Sequence, residues 1–107
     1  MAEGNVAYKN AKFDGAAGDV SVVAGVAGTK IQLHAAVISF DTADAIFRWE
    51  DGAGGTALSG LMENTIDTTV VLPFSEVPWF VTTAGNALSI EATTSGVGGH
   101  VIYSEAT

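Results

Sequence analysis

Few residues of this chain are of a type that does chemistry. His34 and His100 are its two histidines, cysteine is absent, and candidate carboxylates fall as Asp41 with Asp44 and as the adjacent pair Glu50 and Asp51. The histidines show neither H-x-H nor H-E-x-x-H spacing, the arrangements that bring two imidazoles to one metal. His34 falls in a strand, where a half-buried imidazole partners a hydroxyl or a carbonyl. Without thiols there is no thiolate metal site and no disulfide. Asp41 and Asp44 lack the further spaced oxygen ligands that calcium requires, and read as turn caps that accept backbone N–H groups. Glu50 and Asp51 are neighbours at a strand end, so their side chains diverge and do not form the paired carboxylates of a hydrolase. No G-x-S-x-G nucleophile motif occurs. The sequence therefore offers no catalytic residue, no metal ligands and no cofactor-binding residue, and the expectation is a non-enzymatic protein.

Two glycine-rich stretches invite a phosphate-binding reading, "AGVAGTKIQL" near Gly25 and "TTSGVGGHVIYSEA" from Thr93 to Ala106. A phosphate loop needs a helix after it, because helix N-terminal amides and the helix dipole hold the anion. Both stretches run instead into β-branched and apolar residues. The second reads as the last hairpin of a sandwich. Gly96, Gly98 and Gly99 allow positive φ and close strand approach there, Val101 and Tyr103 point inward opposite Leu88 and Ile90, and His100 points outward. Trp49, Trp79, Phe80 and Tyr103 could form a sugar-stacking platform, but aromatics in strand-rich domains mostly belong to the core, where each buries a large area.

The elements that position these residues are strands. In "KIQLHAAVISF", Ile31, Leu33, Ala35 and Val37 alternate onto one face; in "AIFRWED", Ile46, Arg48 and Glu50 oppose Phe47 and Trp49. "DGAGG" ends that strand with a turn signal. "TTVVLPF" stops at Pro73, which cannot donate a ladder hydrogen bond. In "NALSIEATT", Leu88, Ile90 and Ala92 oppose Ser89, Glu91 and Thr93. Only "LSGLMEN" suits a helical turn. Six to eight short strands with turn signals every 8 to 12 residues predict an all-β fold, a small antiparallel β-sandwich of jelly-roll type. The first 20 residues, rich in Gly, Ala, Asn and Asp, read as an N-terminal arm with weak strand potential, and residues 21–107 as the sandwich domain.

At 107 residues the chain makes one domain. Charged residues are 15% of it and hydrophobic ones 48%, against about 25% charged in a typical soluble domain. A small domain so poor in charge is expected to bury one or more faces in an oligomer or larger assembly. The net charge of −8 argues against nucleic acid, whose binders neutralise phosphates with Lys and Arg, and against anionic membranes. No apolar run reaches the roughly 18 residues of a membrane span. "MAEGNVAYKNAKFDG" lacks a signal-peptide core, so synthesis and assembly in a cytoplasm are expected.

From Val23 to Tyr103 the order of motifs resembles small structural proteins of tailed-phage and prophage gene clusters. The pattern is a Gly-Lys/Thr-Lys-Ile strand ("AGTKIQLHAAVISF"), then an aromatic strand with a Gly turn and Leu-Ser/Thr-Gly ("AIFRWEDGAGGTALSGLM"). An "LPF" strand with an aromatic-Thr-x-x-Gly-x-x-Leu unit follows ("VVLPFSEVPWFVTTAGNALSIEATT"), and Gly-x-hydrophobic-x-Tyr ("GHVIYSEA") closes it. The "WEDGAGG" turn is longer and more acidic than the pattern, and the first 20 residues lie outside it. The resemblance implies a virion component, foremost a capsid decoration (cement) protein. Such a protein is a β-sandwich, usually a homotrimer, seated on the major capsid protein at the outer capsid surface. The other reading it supports is a tail- or fibre-associated receptor- or glycan-binding module, with Trp49 or Trp79 as stacking face. On the decoration reading the arm residues Val6, Tyr8, Lys9 and Lys12 contact the shell, and Leu61, Met62, Trp79 and Phe80 form the oligomer interface.

Overall fold

The computed structural model describes residues 7–15, 18–40, 43–93 and 96–107; Val6 lies outside them. All regular structure among these residues is strand: β1 Lys9–Gly15, β2 Gly18–Val23, β3 Lys30–Phe40, β4 Ala45–Asp51, β5 Thr56–Ala57, β6 Met62–Asn64, β7 Thr68–Leu72, β8 Phe80–Val81, β9 Leu88–Ala92 and β10 Val97–Ala106. They form two antiparallel sheets. Sheet A runs β1-β10-β3-β7 with β8 also on β3, and sheet B runs β2-β9-β4-β5 with β6 also on β4. The pairing is nested: β1 with β10, β2 with β9, β3 with β7 and β8, β4 with β5 and β6. A chain folded back on itself as one long ribbon and then rolled gives this order, which is the jelly roll of the sequence expectation.

The core lies between the sheets. Phe13, Ile31, Leu33, Ile38, Phe40, Val97 and Val101 of sheet A face Phe47, Trp49, Leu88 and Ile90 of sheet B, all buried. Phe40 and Phe47 meet across the core at 5.2 Å between ring centroids, and Trp49 and Phe80 at 6.0 Å. Each such side chain contributes about 1.5–3 kcal/mol when fully buried. Alternation along β4 is as expected, with Phe47 and Trp49 inside and Ile46, Arg48 and Glu50 on the outer face.

Four expectations are corrected. Of the segment set apart as an arm, the described residues are built into the sandwich from Lys9 on, with Lys9–Gly15 as the edge strand on β10 and residues from Gly18 onward in β2. In β3 the inward set is Ile31 and Leu33, then Ala36, Ile38 and Phe40, whereas Ala35 and Val37 face outward. The cause is a bulge: Leu33 pairs with Tyr103 and Ala35 with Ile102, leaving His34 as the extra residue that reverses the alternation. "LSGLMEN" makes no helical turn, because the main chain of Trp49 holds it extended: Trp49 O accepts from Leu58 N–H (2.8 Å) and Trp49 N–H donates to Ser59 Oγ (3.0 Å). Lastly, the glycine cluster from Gly96 is not in a hairpin. It carries the chain from β9 in sheet B to β10 in sheet A. Gly96 supplies the positive φ (82°), and Gly99 permits close approach, since a Cβ there would lie 1.9 Å from the Val37 carbonyl oxygen. Val101 is buried, Tyr103 packs on the core and His100 is exposed, as expected.

Candidate functional site: the outer face of sheet A

The two outer faces of the sandwich differ in chemistry. On sheet A, register places Lys12, His100, Val37 and Val71 in one row and Asn10, Ile102 and Ala35 in the next. Val81 pairs with Gln32 beyond the bulge. Val71, Phe74, Val77, Trp79 and Val81 are exposed, Val71 to 58% and Val77 to 76%. A shallow groove of about 210 Å³ lies between β3, β7 and β10, lined by Ala35, Val37, Val71, Phe74, His100 and Ile102. The outer face of sheet B carries Asp19, Glu50, Glu63 and Glu91 with Arg48 among them. One face is apolar and aromatic; the other is acidic.

The apolar face is organised around His34. The bulge turns its buried imidazole outward, under the segment that links β7 to β8. Nδ1 lies 2.8 Å from the Ser75 carbonyl oxygen and Nε2 2.7 Å from Ser104 Oγ, which in turn lies 2.9 Å from Gln32 Oε1. A carbonyl only accepts, so Nδ1 carries the proton and donates. The backbone closes the same link, with Ser75 N–H donating to His34 O (3.0 Å). Phe74 stacks on the imidazole at 6.0 Å, and Tyr8 stands edge-on to both His34 (5.0 Å) and Phe74 (5.2 Å). The expectation that His34 partners a hydroxyl or a carbonyl is met by both at once.

The residues singled out from sequence are distributed as follows. Tyr8 and Lys12 lie on the outer face of sheet A. Lys9 pairs with Tyr103 across the ladder, and its ammonium makes an ion pair with Glu105. Leu61 and Trp79 are exposed, whereas Met62 and Phe80 pack against the core. All four sit at the side of the sandwich formed by β5, β6, β7 and β8, away from β1 and β2. Trp79 is held by an Nε1–H bond to Pro73 O (2.9 Å). Trp49 is 1% exposed and has no face free to stack on a sugar. Tyr8 and Lys12 of this face were marked from sequence as contact residues; the bulge that turns His34 onto it had no sequence signal.

The other chemical candidates resolve locally. Asp44 Oδ1 accepts Ile66 N–H at 2.8 Å, the expected turn-capping role; Asp41 lies outside the described residues. Asp51 and Glu50 diverge as expected: Asp51 accepts from Thr83 and Asn86, while Glu50 meets Arg48 and Gly54. The Gly25 stretch makes a turn closed by Thr29 N–H to Val26 O (3.0 Å) and enters β3, with no helix to hold a phosphate. No helix among the described residues is long and apolar enough to cross a membrane.

No protein-family model and no curated protein matches the sequence. Among solved structures, one of Bacillus endospore appendages, described as a family of disulfide-linked pili, is similar over 94% of this chain and 85% of that chain. Its TM-score is 0.52 at 12% identity. The likeness is one of fold. A structure of infectious bursal disease virus, Gx strain, aligns over 94% of this chain and 39% of that one at 14% identity, but its TM-score of 0.30 gives it no weight.

Proposed function

We propose that this chain is a non-enzymatic structural subunit that docks through the outer face of sheet A onto a larger protein assembly, as a capsid decoration protein does. The observation that carries the reading is the asymmetry of the two faces. Isolated exposed apolar residues are ordinary, but Tyr8, Val71, Phe74, Val77, Trp79 and Val81 on one side of a small sandwich form the kind of patch that marks an interaction surface. Tyr and Trp at such a patch supply rigid contact area at little entropic cost. The acidic outer face of sheet B then faces solvent and keeps the assembled particle soluble.

The fold neighbour belongs to pili that are linked by disulfides. The present 107 residues contain no cysteine, so no disulfide between these residues links one copy to the next. Such a subunit works by binding energy alone: it stabilises whichever state of the shell it binds, by mass action. On this reading Tyr8 and Lys12 touch the shell together with the apolar groove and Trp79, and Leu61 forms contacts between the subunits of a homotrimer.

The test is localisation. Particles purified from a host carrying the gene, labelled with antibody against this protein and imaged by negative stain, should show label distributed over the capsid. Label confined to tail tips, with binding on a glycan array lost in Trp79→Ala, would replace this reading with the receptor-binding one. Absence from particles would overturn both.

A further inference from the structure

Asp19 of β2, Glu50 of β4 and Glu91 of β9 each bring a carboxylate oxygen within 4.8 Å of the others on the outer face of sheet B. Register explains the convergence. Asp19 pairs with Glu91 and Glu91 with Arg48, while Ser21 pairs with Ser89 and Ser89 with Glu50. Arg48 Nη2 lies 3.1 Å from Glu50 Oε2 and its Nε 3.3 Å from Glu91 Oε1. Gly54 N–H donates to Glu50 Oε1 at 3.2 Å, folding the turn after β4 back over the cluster. Arg48 is paired with two of the three carboxylates, those of Glu50 and Glu91, and Glu50 has no solvent exposure. Burial, and after it the adjacent Asp19, holds the Glu50 carboxyl above its ordinary range.

Ser89 supplies a second, independent observation. It is fully buried on this same face, directly across the ladder from Glu50, and its Oγ has no hydrogen-bond partner. Buried hydroxyls are almost always satisfied, so an orphan one needs an explanation. We infer that Asp19, Glu50, Glu91 and the Ser89 hydroxyl form a binding site for a hard divalent cation, calcium in preference to magnesium.

The spacing suits calcium. Two oxygens that share one calcium at 2.3–2.6 Å lie at most about 5 Å apart. Magnesium sheds its water reluctantly and demands an octahedron, which two fully buried ligands on a rigid sheet do not provide. The ion would satisfy Ser89, balance the charge that Arg48 leaves uncompensated, and tie β2, β9 and β4 together. It is independent of the docking face on the other sheet.

The test uses the full chain, freed of metal with EDTA and titrated with calcium chloride by calorimetry and thermal unfolding. The expected result is one saturable site per chain and a Tm rise of roughly 5 °C at about ten times Kd, with a much smaller response to magnesium. Asp19 is exposed, so Asp19→Asn should fold normally and bind roughly tenfold more weakly or not at all. Ser89→Ala should bind more weakly while unfolding in EDTA at or above the wild-type Tm, because an unpaired buried hydroxyl has been removed. No saturable binding at about 10 mM calcium, beyond the weakest structural sites, would overturn the inference. So would Asp19→Asn and Ser89→Ala proteins that bind as the wild type does.

Discussion

Gly99 and Val37 approach so closely across β10 and β3 that a Cβ on Gly99 would sit 1.9 Å from the Val37 carbonyl oxygen. Both partners are backbone, and neither can turn aside. Gly99→Ala is therefore expected to cost about 3 kcal/mol or more in urea denaturation, or to prevent folding. Gly98→Ala is the control. There the added Cβ meets the tip of Asp14, 3.2 Å away, which can rotate, and Ala loses less chain entropy than Gly in a strand, so the change is expected to stay within about 1 kcal/mol of wild type. Equal costs at the two positions would contradict this account of the glycine cluster.

Ser104 supports His34 from beneath the apolar face. Ser104→Ala leaves Nε2 of a buried imidazole without its partner, and an unsatisfied buried polar group costs about 1–3 kcal/mol. Because His34 also holds Ser75, faster amide exchange at Ser75 and Trp79 should accompany the loss. Unchanged exchange would show that the segment linking β7 to β8 does not depend on the imidazole.

Acid sensitivity should trace to Asp51. Burial pushes its carboxyl up, but the Thr83 hydroxyl (2.6 Å), the Thr83 N–H (2.9 Å) and the Asn86 amide (3.2 Å) outweigh it and leave the group below its ordinary 3.8. A carboxyl lowered on folding stabilises above its unfolded value, and that stability is lost as pH falls through the folded one. Glu50, raised above 4.5, has the opposite sign: its contribution is full below 4.5 and is lost as pH rises through its folded value. In urea titrations from about pH 7 to about pH 3, the deficit of Asp51→Asn relative to wild type should therefore shrink. A deficit independent of pH would refute the assignment.

The sandwich was legible in the sequence because β4 and β9 alternate cleanly, as Phe47 and Trp49 against Arg48 and Glu50 show. What was hidden depended on partners remote in sequence. The bulge at His34 reverses the faces of Ala35 to Phe40, and nothing local to "KIQLHAAVISF" announces it. Glycines after β9 signal a change of direction without saying which sheet receives the next strand. Lys9 to Gly15 has too little β-branched character to read as a strand, and it is held in place by β10. Positions 19, 50, 89 and 91 come together through three strands, so no spacing rule for metal ligands could have found them. Tyr8 and Lys12 were picked out for contact chemistry, and the alternation of β1 puts them on the apolar face.

The docking role of that face is tested most directly by particle occupancy. Val71 and Val77 are the most exposed residues of this face, 58% and 76%, and neither takes part in the ring contacts around His34, so the double variant Val71→Asp, Val77→Asp should keep a wild-type Tm within a few degrees, as surface changes do. Quantified on purified particles by gel densitometry, this variant is predicted to fall at least about tenfold below wild type, the effect of losing roughly 1.4 kcal/mol of binding. A folded variant present on particles at the wild-type copy number would contradict the account.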